Sequence, residues 1–371
     1  MIILKKIGSA LAVAAATAAL VLMLAFFLGS TGSENASAAE GVSASIMSKF
    51  NMFVNNSASE ALDGIVPIKK VYSLAEDLVV APEPDRSLFG TASSPAELED
   101  VIASAAPLLD GQETLFGSDI QLMKDSEINY YLDETLLAIT WKQAINSACY
   151  TFSEIKIADA SQFRRYMADN SFGSAIQYRP SDMAATVNAV VAMSGDFYKF
   201  RPMGIVVYQR GVYRCEGEEI DTLFIDTNGD FNFVKRGEIM DKSAAEDYVK
   251  ENDILFSLSF GPVLIDDGVK VVPDSYPIGE IHDTYSRAAI AQLGDKHYLL
   301  VTINYEGAYV AASTIGQMAD VLHGLGVNKA YTLDGGQTGT IIMNDVVINN
   351  VDYGEQRNIS DIIYFATALP D

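Results

Sequence analysis

Beyond residue 130 the chain alternates short apolar runs with polar turn residues, which is the pattern of β-strands joined by tight connections. Pairs such as Asn228-Gly229 and Asp267-Gly268 separate neighbouring runs and favour hairpins. The runs that predict strands are 135–141, 148–157, 189–193, 204–207, 222–225, 298–303 and 328–333, and helical periodicity predicts helices at 161–167, 243–250 and 314–325. The pattern predicts an α+β domain with a mixed β-sheet and a few flanking helices.

The chain before this domain has a different composition. Residues 31–60 are rich in Ser, Ala, Asn and Gly, which is typical of a flexible tether. Residues 61–125 contain the loop Pro82-Glu83-Pro84 and one helix signal at 97–109, without residues that suggest chemistry. We therefore predict a tether and a small accessory or stalk region over 31–125, and the main domain over 126–371.

The first 30 residues predict membrane targeting. Lys5 and Lys6 precede an uncharged apolar run from Ile7 to Gly29, and about 20 apolar residues suffice to span a bilayer. The basic flank stays in the cytoplasm by the positive-inside rule, so the rest of the chain lies outside. On length we favour an uncleaved N-terminal anchor at 1–30; the alternative is a cleaved signal and a secreted protein.

The net charge and the cysteine content bear on the partners of the protein and on its disulfide bonds. The 371 residues carry a net charge of −24, which argues against a nucleic-acid partner because binding to a phosphate backbone requires concentrated Lys and Arg. Cys149 and Cys215 are the only cysteines of the sequence. An oxidising compartment permits a disulfide between them, which we favour over two separate buried thiols.

The segment from Asp226 to Asp230 places oxygen donors at alternate positions, as the start of a calcium loop does. An EF-hand loop needs Gly at its sixth position and Glu at its twelfth, where this chain has Phe231 and Gly237. We interpret the segment as a hairpin turn and predict no metal and no cofactor. The alternative is a structural divalent ion held by Asp226, Asn228 and Asp230.

The most informative segment is 331–340, in which an apolar strand signal runs directly into Asp334, Gly335 and Gly336. Glycine lacks a Cβ atom and adopts positive φ, so paired glycines let the backbone approach a ligand closely. Asp334 is therefore a candidate for chemistry at the end of a strand. A plain structural turn is the alternative.

Further motifs accompany this turn in a characteristic order. They are Ser194-Gly195-Asp196 within 190–198, Gly204 within 203–208, the segment 259–268, Ser286-Arg287-Ala288, and Arg357 to Asp361. With the Asp334 turn, this series resembles the phosphodiester glycosidase family, whose best known member is the lysosomal uncovering enzyme. The chain departs from the family pattern at several positions, among them Ser194, Gln337 and Ala288.

The resemblance implies cleavage of a sugar from a phosphodiester at the anomeric carbon, through an oxocarbenium-like transition state. The leaving group is a phosphate monoester, whose charge is best met by arginine forks. We predict Arg287 as a catalytic residue and Arg357 as a substrate-binding residue. The alternatives are a surface position for Arg287 and, for Arg357, a salt bridge to Asp361 or Glu355.

Glycoside chemistry generally uses two carboxylates, and we predict Asp334 as the first and Asp196 as the second. The alternatives are structural: Asp196 caps a turn after Gly195, and Asp334 binds the amides of its own turn. Backbone and hydroxyl donors supply the other predicted substrate-binding positions, which are Gly195, Gly204, Gly335, Gly336 and Thr338.

The predicted function is that of a membrane-anchored, extracytoplasmic hydrolase that cleaves a sugar from a sugar-1-phosphodiester. Its predicted partners are a glycan or sugar-phosphate substrate and, through the N-terminal helix, the membrane. The alternative is a non-catalytic glycopolymer-binding or exopolysaccharide-assembly protein on the same fold. The departures at Ser194, Gln337 and Ala288 are the reason to keep that alternative.

Overall fold

The computed structural model describes residues 72–196, 198–278, 280–306 and 313–369. The chain divides into two units, Met1–Lys70 and Val71–Asp371, and every described residue belongs to the second. The predicted anchor or signal at 1–30 and the tether up to residue 71 lie outside the described residues. None of the described helices is long and apolar enough to cross a lipid bilayer.

β-Strands dominate this unit, as the density of short apolar runs predicts. The strands are β1 (Phe89–Ala92), β2 (Ile128–Leu132), β3 (Leu136–Ile145), β4 (Ala148–Ile157), β5 (Phe163–Met167), β6 (Val191–Ser194), β7 (Gly204–Tyr208), β8 (Gly211–Glu216), β9 (Thr222–Asp226), β10 (Phe231–Val234), β11 (Ile254–Leu258), β12 (Val263–Asp266), β13 (Val269–Lys270), β14 (Arg287–Gly294), β15 (His297–Asn304), β16 (Lys329–Leu333), β17 (Ile341–Met343), β18 (Val346–Val347) and β19 (Asp361–Phe365).

The strands form two main sheets. A nine-stranded sheet has the order β1-β2-β3-β4-β15-β14-β16-β12-β13, and a five-stranded sheet has the order β18-β17-β6-β19-β5. A three-stranded sheet, β10-β9-β11, and the ribbon β7-β8 complete the described part. The α+β class is confirmed, but the described strands pair only antiparallel where the prediction had a mixed sheet. Many of the connections are short hairpins, and these permit only antiparallel neighbours.

Two hydrophobic cores lie on the two faces of the nine-stranded sheet, because side chains along a strand alternate between faces. On β14, Ala288 and Ile290 belong to a core shared with the five-stranded and three-stranded sheets, whereas Ala289 and Ala291 belong to a core shared with helices. Burial of these apolar side chains is the main force that holds the layers together.

The helices of the described residues are few and short: α1 (Glu99–Ser104), α2 (Ala106–Leu109), α3 (Pro180–Thr186), α4 (Lys242–Glu251) and α5 (Ile315–Gly324). The helices predicted at 243–250 and 314–325 are confirmed, and Thr314 and Gln317 form a capping box at the start of α5. The helix predicted at 161–167 is wrong. Asp159 caps a single 3-10 turn, after which β5 pairs with β19.

Residues 72–125 pack against the main sheet. Strand β1 pairs with β2, Leu98 is fully buried, and the Phe116 ring lies 5.2 Å from the Trp141 ring. The predicted boundary between residues 125 and 126 therefore falls inside one compact unit, because apolar side chains before it complete a core of the sheet.

The two cysteines do not form the predicted disulfide. Cys149 lies on β4 of the nine-stranded sheet and Cys215 on β8 of the ribbon, and both are free thiols. The Cys149 Sγ instead donates a hydrogen bond to Glu306 Oε2 at 3.4 Å. Cys215 packs instead against the core beside the ribbon.

The segment after β9 is the predicted hairpin turn into β10. Asp226 Oδ1 accepts hydrogen bonds from the N–H groups of Asn228 and Asp230, at 2.8 and 3.0 Å. Asp226 Oδ2 accepts another from Asn232 Nδ2 at 3.0 Å. The Asp226 carboxylate therefore closes the turn.

Candidate active site

The Asp334 turn connects the two main sheets, since it leaves β16 of the nine-stranded sheet and enters β17 of the five-stranded sheet. Gly335 is needed there for space: a Cβ atom on it would lie 2.4 Å from the carbonyl oxygen of Ser286. Gly336 has φ of +67°, which favours glycine. The Thr338 N–H donates to the Gly335 carbonyl at 3.2 Å and closes the turn.

The turn offers free backbone donors. Among the backbone hydrogen bonds of the described turns and loops, none uses the N–H groups of Gly335, Gly336 or Gln337. Consecutive unpaired N–H groups in such a turn form a concave site for an anion. The interpretation of Gly335 and Gly336 as backbone donors to a substrate therefore stays a prediction, with a geometry that suits it.

Antiparallel pairing brings Arg287 beside this turn. Ala288 on β14 lies opposite Leu333 on β16, so the residues next to them, Arg287 and Asp334, are at the same end of the sheet. The Arg287 side chain is buried, with 7% of its surface exposed. Its Nε donates to the Ser313 carbonyl at 3.0 Å, and its Nη2 donates to the carbonyls of Glu280 and Asp283 at 3.1 and 2.7 Å.

These bonds divide the Arg287 guanidinium between two tasks. Nη2 fixes the loop before β14 and Nε the segment before α5, whereas Nη1 donates to no described residue and is available to a ligand. Arg287 is therefore not the surface arginine of the alternative interpretation. It is a structural anchor with one free donor.

A cleft of about 530 Å³ opens over the turn. Its lining combines three arginines, three carboxyl groups and several aromatic rings, and contains no lysine among the described residues. The lining residues are Arg201, Phe260, Tyr276, Pro277, Ile278, Glu280, Tyr285, Ser286, Arg287, Leu333, Asp334, Gly335, Gly336, Gln337, Asp352, Tyr353 and Arg357. The three carboxyl groups balance the formal charge of the three arginines, whose planar forks are suited to bind an anion such as a phosphate.

Asp334 is the carboxyl at the floor of the cleft. Its Oδ2 and the nearby Thr338 Oγ1 are both buried and form no hydrogen bond of ordinary geometry, although the Thr338 hydroxyl is close enough to stabilise the carboxylate. Burial raises the pKa of Asp334 above its ordinary value of 3.8, while Thr338 and the charges of Arg357 and Arg201 oppose that rise. Because Asp334 lines the cleft, its carboxyl group is placed for proton transfer with a ligand there.

Thr338 itself lies behind the turn rather than in the lining of the cleft. It is 2% exposed, and its carbonyl accepts a hydrogen bond from the Ser194 hydroxyl. Ser194 Oγ also accepts the Thr340 N–H at 3.3 Å. The serine that departs from the family pattern therefore holds the turn in place.

Arg357 fits the predicted role of a substrate ligand. Its side chain is exposed and forms no ion pair with a described residue, so the salt bridge to Asp361 or Glu355 is absent from the described part. Its backbone N–H donates to the Gln337 carbonyl at 3.3 Å, which ties the residue to the turn. The guanidinium charge is near enough to lower the pKa of Asp334.

The structure brings a second carboxylate to the cleft that the sequence analysis did not find. Asp352 Oδ1 accepts hydrogen bonds from Ser286 Oγ at 2.8 Å and Asn304 Nδ2 at 3.4 Å. A Cβ atom on Gly336 would lie 3.5 Å from Asp352 Oδ2, so this carboxylate borders the turn directly. The available signal was the Asp-Tyr-Gly turn sequence five residues before Arg357.

Asp196, the predicted second carboxylate, is elsewhere. It lies in a fully buried ion cluster in which Arg165 Nη2 contacts Asp196 Oδ1 at 2.9 Å and Asp361 Oδ2 at 2.8 Å. The N–H groups of Tyr198 and Ser259 donate to the two Asp196 oxygens, at 2.9 and 2.8 Å. Because both oxygens are engaged and no surface is exposed, the assignment of Asp196 to the anomeric centre is corrected to a structural role.

Gly195 and Gly204 also lie outside the lining of the cleft. A Cβ atom on Gly195 would come within 2.0 Å of Asp361 Oδ2, and one on Gly204, whose φ is +92°, within 2.5 Å of Ser259 Cβ. Both glycines make room for the packing around the buried cluster. Their predicted contact with substrate is therefore replaced by a packing role.

The comparisons with known proteins agree with this geometry. The model of the phosphodiester glycosidase family matches residues 187–366. These residues belong to the phosphodiester glycosidase family. The glycosidase domain so defined includes every residue that lines the cleft. Arg165, which holds the buried cluster, precedes it. No curated protein sequence matches the chain.

Two solved structures resemble the chain that carries the glycosidase domain. The catalytic domain of zebrafish N-acetylglucosamine-1-phosphodiester alpha-N-acetylglucosaminidase, auto-inhibited by its propeptide, has 15% identity and a TM-score of 0.51, over 70% of this chain and 92% of that one. A hypothetical protein from Synechocystis has 13% identity and a TM-score of 0.46, over 67% and 64% of the two chains. At such identity the zebrafish structure shows a common fold.

Proposed function

We propose that this protein is a hydrolase that cleaves a sugar from a sugar-1-phosphodiester, with the cleft around Asp334 as its active site. One observation carries the proposal: the Asp334 carboxyl, whose pKa burial raises, lines the same cleft as three arginines. A group for proton transfer beside cations for a phosphate is what this reaction requires. The family of residues 187–366 supports the same reaction class.

Arg357 and the turn bind the phosphate in this proposal. The Arg357 side chain is exposed in the cleft and carries a fork of donors that matches two phosphate oxygens. Arg287 Nη1 and the unpaired N–H groups of Gly335 and Gly336 add further donors. These groups stabilise the phosphate monoester as its bond to the sugar breaks.

Asp334 acts as the general base. A water molecule attacks the anomeric carbon, its proton passes to the Asp334 carboxylate, and the bond from that carbon to the phosphate oxygen breaks with its electron pair left on the phosphate. Because burial raises the pKa of Asp334, the carboxylate is a stronger base than an exposed one. The phosphate is a good leaving group and requires little protonation.

Asp352 stabilises the positive charge that develops at the anomeric carbon. Ser286 and Asn304 orient its Oδ1, and Oδ2 is the oxygen that borders the glycine turn. Two carboxylates with different tasks are usual in glycoside hydrolysis. Asp196, the predicted second carboxylate, is bound instead in the buried cluster with Arg165.

We further propose that the enzyme acts outside the cytoplasm, on a cell-surface glycan or glycopolymer. The support is the basic and apolar pattern of residues 1–30, which favours an uncleaved anchor over a cleaved signal. Protease treatment of intact and of permeabilised cells that express the full chain tests this. Digestion only after permeabilisation would contradict it.

Isotope labelling tests the reaction itself. The purified protein is incubated in ¹⁸O-water with a panel of sugar-1-phosphodiesters, which includes esters of N-acetylglucosamine because the zebrafish relative carries that sugar in its name. We expect free sugar to be released with ¹⁸O on its anomeric carbon. Label in the phosphate would show cleavage of the phosphorus–oxygen bond instead, and a phosphodiesterase.

Release of no sugar from any ester would contradict the enzymatic proposal. Saturable binding without release would then favour the glycopolymer-binding alternative.

A further inference from the structure

The Tyr353 side chain lies at the cleft and makes no specific contacts with other described side chains. It lines the cleft together with Asp334 and Arg357, and 91% of its surface is exposed, more than for any other large apolar side chain of the described residues. No described residue forms a hydrogen bond, ion pair or ring contact with its side chain. A second tyrosine of the cleft, Tyr285, differs because it is 45% exposed and has the Arg287 guanidinium 5.3 Å from its ring.

The backbone of Tyr353 is strained. Its φ and ψ are +62° and 8°, in the left-handed region that a bulky side chain rarely adopts. Gly354, the next residue, also has a positive φ of +76°, which glycine tolerates. A residue that makes no contacts of its own cannot offset this strain, so its neighbours must impose it.

The neighbours of Tyr353 are anchored on both sides. Asp352 is held by Ser286 and Asn304, and the Gly354 N–H donates to the Val351 carbonyl at 2.9 Å. Further along, the Arg357 N–H binds the turn of Asp334. The anchors fix a backbone that projects the tyrosine ring from the rim of the active-site cleft.

We propose that Tyr353 is a sugar-stacking residue, held in a strained conformation so that its ring packs against a pyranose ring of the substrate. Tyrosine suits this because it offers a large rigid face with an apolar body and few rotatable bonds to immobilise. The strained backbone destabilises the free protein, and the contact between the ring and a bound ligand is what it makes possible. This inference rests on the proposed function of the cleft, since it names how the same site selects its substrate.

The test compares three variants of the full chain. Tyr353→Asn removes the ring and installs a residue that tolerates the left-handed region, and Tyr353→Phe keeps the ring. Lys296→Asn is the matched control, because Lys296 has φ of +51° in the hairpin between β14 and β15, outside the lining of the cleft. For each, the melting temperature, the KM and kcat for the esters, and the dissociation constants of the same esters by calorimetry are measured.

We expect Tyr353→Asn to raise the melting temperature by about 1 to 4 °C because the strain is relieved. We expect it to weaken ester binding and raise KM by about 5-fold or more, with a much smaller change in kcat. Tyr353→Phe recovers the affinity. Lys296→Asn raises the melting temperature in the same way and leaves KM at the wild-type value.

The outcomes separate this inference from the proposed function. If Tyr353→Asn releases sugar with the KM of the wild type, the stacking role is overturned and the proposed hydrolase function stands. Binding that depends on the Tyr353 ring, without any release, would support stacking and overturn the hydrolase. Neither binding nor release would overturn both, and a lower melting temperature for Tyr353→Asn would overturn the strained conformation.

Discussion

Gly335 and Ser286 touch where the two strands that carry the site come together: a Cβ atom on Gly335 would lie 2.4 Å from the Ser286 carbonyl oxygen and 2.8 Å from Arg287 Cα. This contact is between backbones, so neither partner can move aside as a flexible side chain can. The distance between the Asp334 turn and the arginine opposite it is therefore set by the absence of a side chain at residue 335.

A methyl group at this position tests that relationship. We expect Gly335→Ala to lower the free energy of unfolding by about 1–3 kcal/mol through overpacking, and to reduce sugar release strongly because the turn moves away from Arg287. Gly324→Ala is the control, since a Cβ atom there meets nothing within 4 Å at the end of α5. Chemical denaturation and the release assay measure both effects; a Gly335→Ala variant that is as stable and active as wild type would refute the close contact.

The two arginines that the sequence analysis singled out should respond differently to replacement. Arg357→Ala removes an exposed side chain without a described partner, so we expect an unchanged melting temperature and an affinity for the esters lower by about 10-fold or more. Arg287→Ala also removes hydrogen bonds to three backbone carbonyls, of which those of Glu280 and Ser313 keep a backbone donor, so we expect it to lower the melting temperature as well. Arg179→Ala, on the surface near α3, serves as the control. Equal loss of stability in the Arg287 and Arg357 variants would contradict this division.

Much of the site could be predicted from the sequence, because several of its residues are close to one another in short motifs. Asp334, Gly335 and Gly336 are consecutive, and Arg287 lies opposite them through the register of two adjacent strands. Short apolar runs likewise predicted most strands, since alternation along a strand is a local property.

The features that could not be predicted from the sequence depend on contacts between residues far apart along the chain. The sequence motif suggests that Asp196 is a catalytic carboxylate. In the structure it is bound by Arg165, which lies on a strand outside the motifs. The cleft gains Asp352 through Ser286, which lies 66 residues away along the chain. The left-handed conformation of Tyr353 has no signal in a residue type that normally avoids it.

The acid limb of the pH profile should report on Asp334. As general base it must be ionised, so we expect kcat/KM to rise as the pH increases through its pKa, which burial raises above 3.8. The Arg357 charge opposes that rise, and its removal raises the pKa of Asp334 further. We therefore expect Arg357→Ala to shift the acid limb to higher pH. A shift to lower pH, or none, would contradict the base assignment.

The buried cluster should make stability depend on pH. One guanidinium cannot neutralise two carboxylates, and Asp361 Oδ1 has no hydrogen-bond partner, so the protonated form of Asp361 fits the site. Burial, with the Asp196 charge in addition and Arg165 opposed, raises the pKa of Asp361 to about 7. The unfolded chain binds this proton only below a pH of about 4. The stabilising contribution is therefore complete below about pH 4 and is lost as the pH rises through about 7.

Asp361→Asn tests this cluster, because the amide supplies a permanent donor in place of the proton. We expect the variant to be more stable than wild type at pH 8 and to lose the fall in stability between about pH 4 and 7. Urea denaturation across that range measures it, with Asp320→Asn on the surface of α5 as the control. A wild-type protein whose stability rises over the same range would show that Asp361 is ionised throughout.

The most direct test of the whole account is the rate of sugar release by the Asp334→Asn variant at the pH optimum of the wild type. The amide has the shape of the carboxyl and cannot take a proton, so we expect the rate to fall by about 100-fold or more with an unchanged melting temperature. Asp125→Asn, whose side chain is 86% exposed outside the lining of the cleft, should keep the wild-type rate. Sugar release by Asp334→Asn at the wild-type rate would contradict the central claim that this carboxyl performs the reaction.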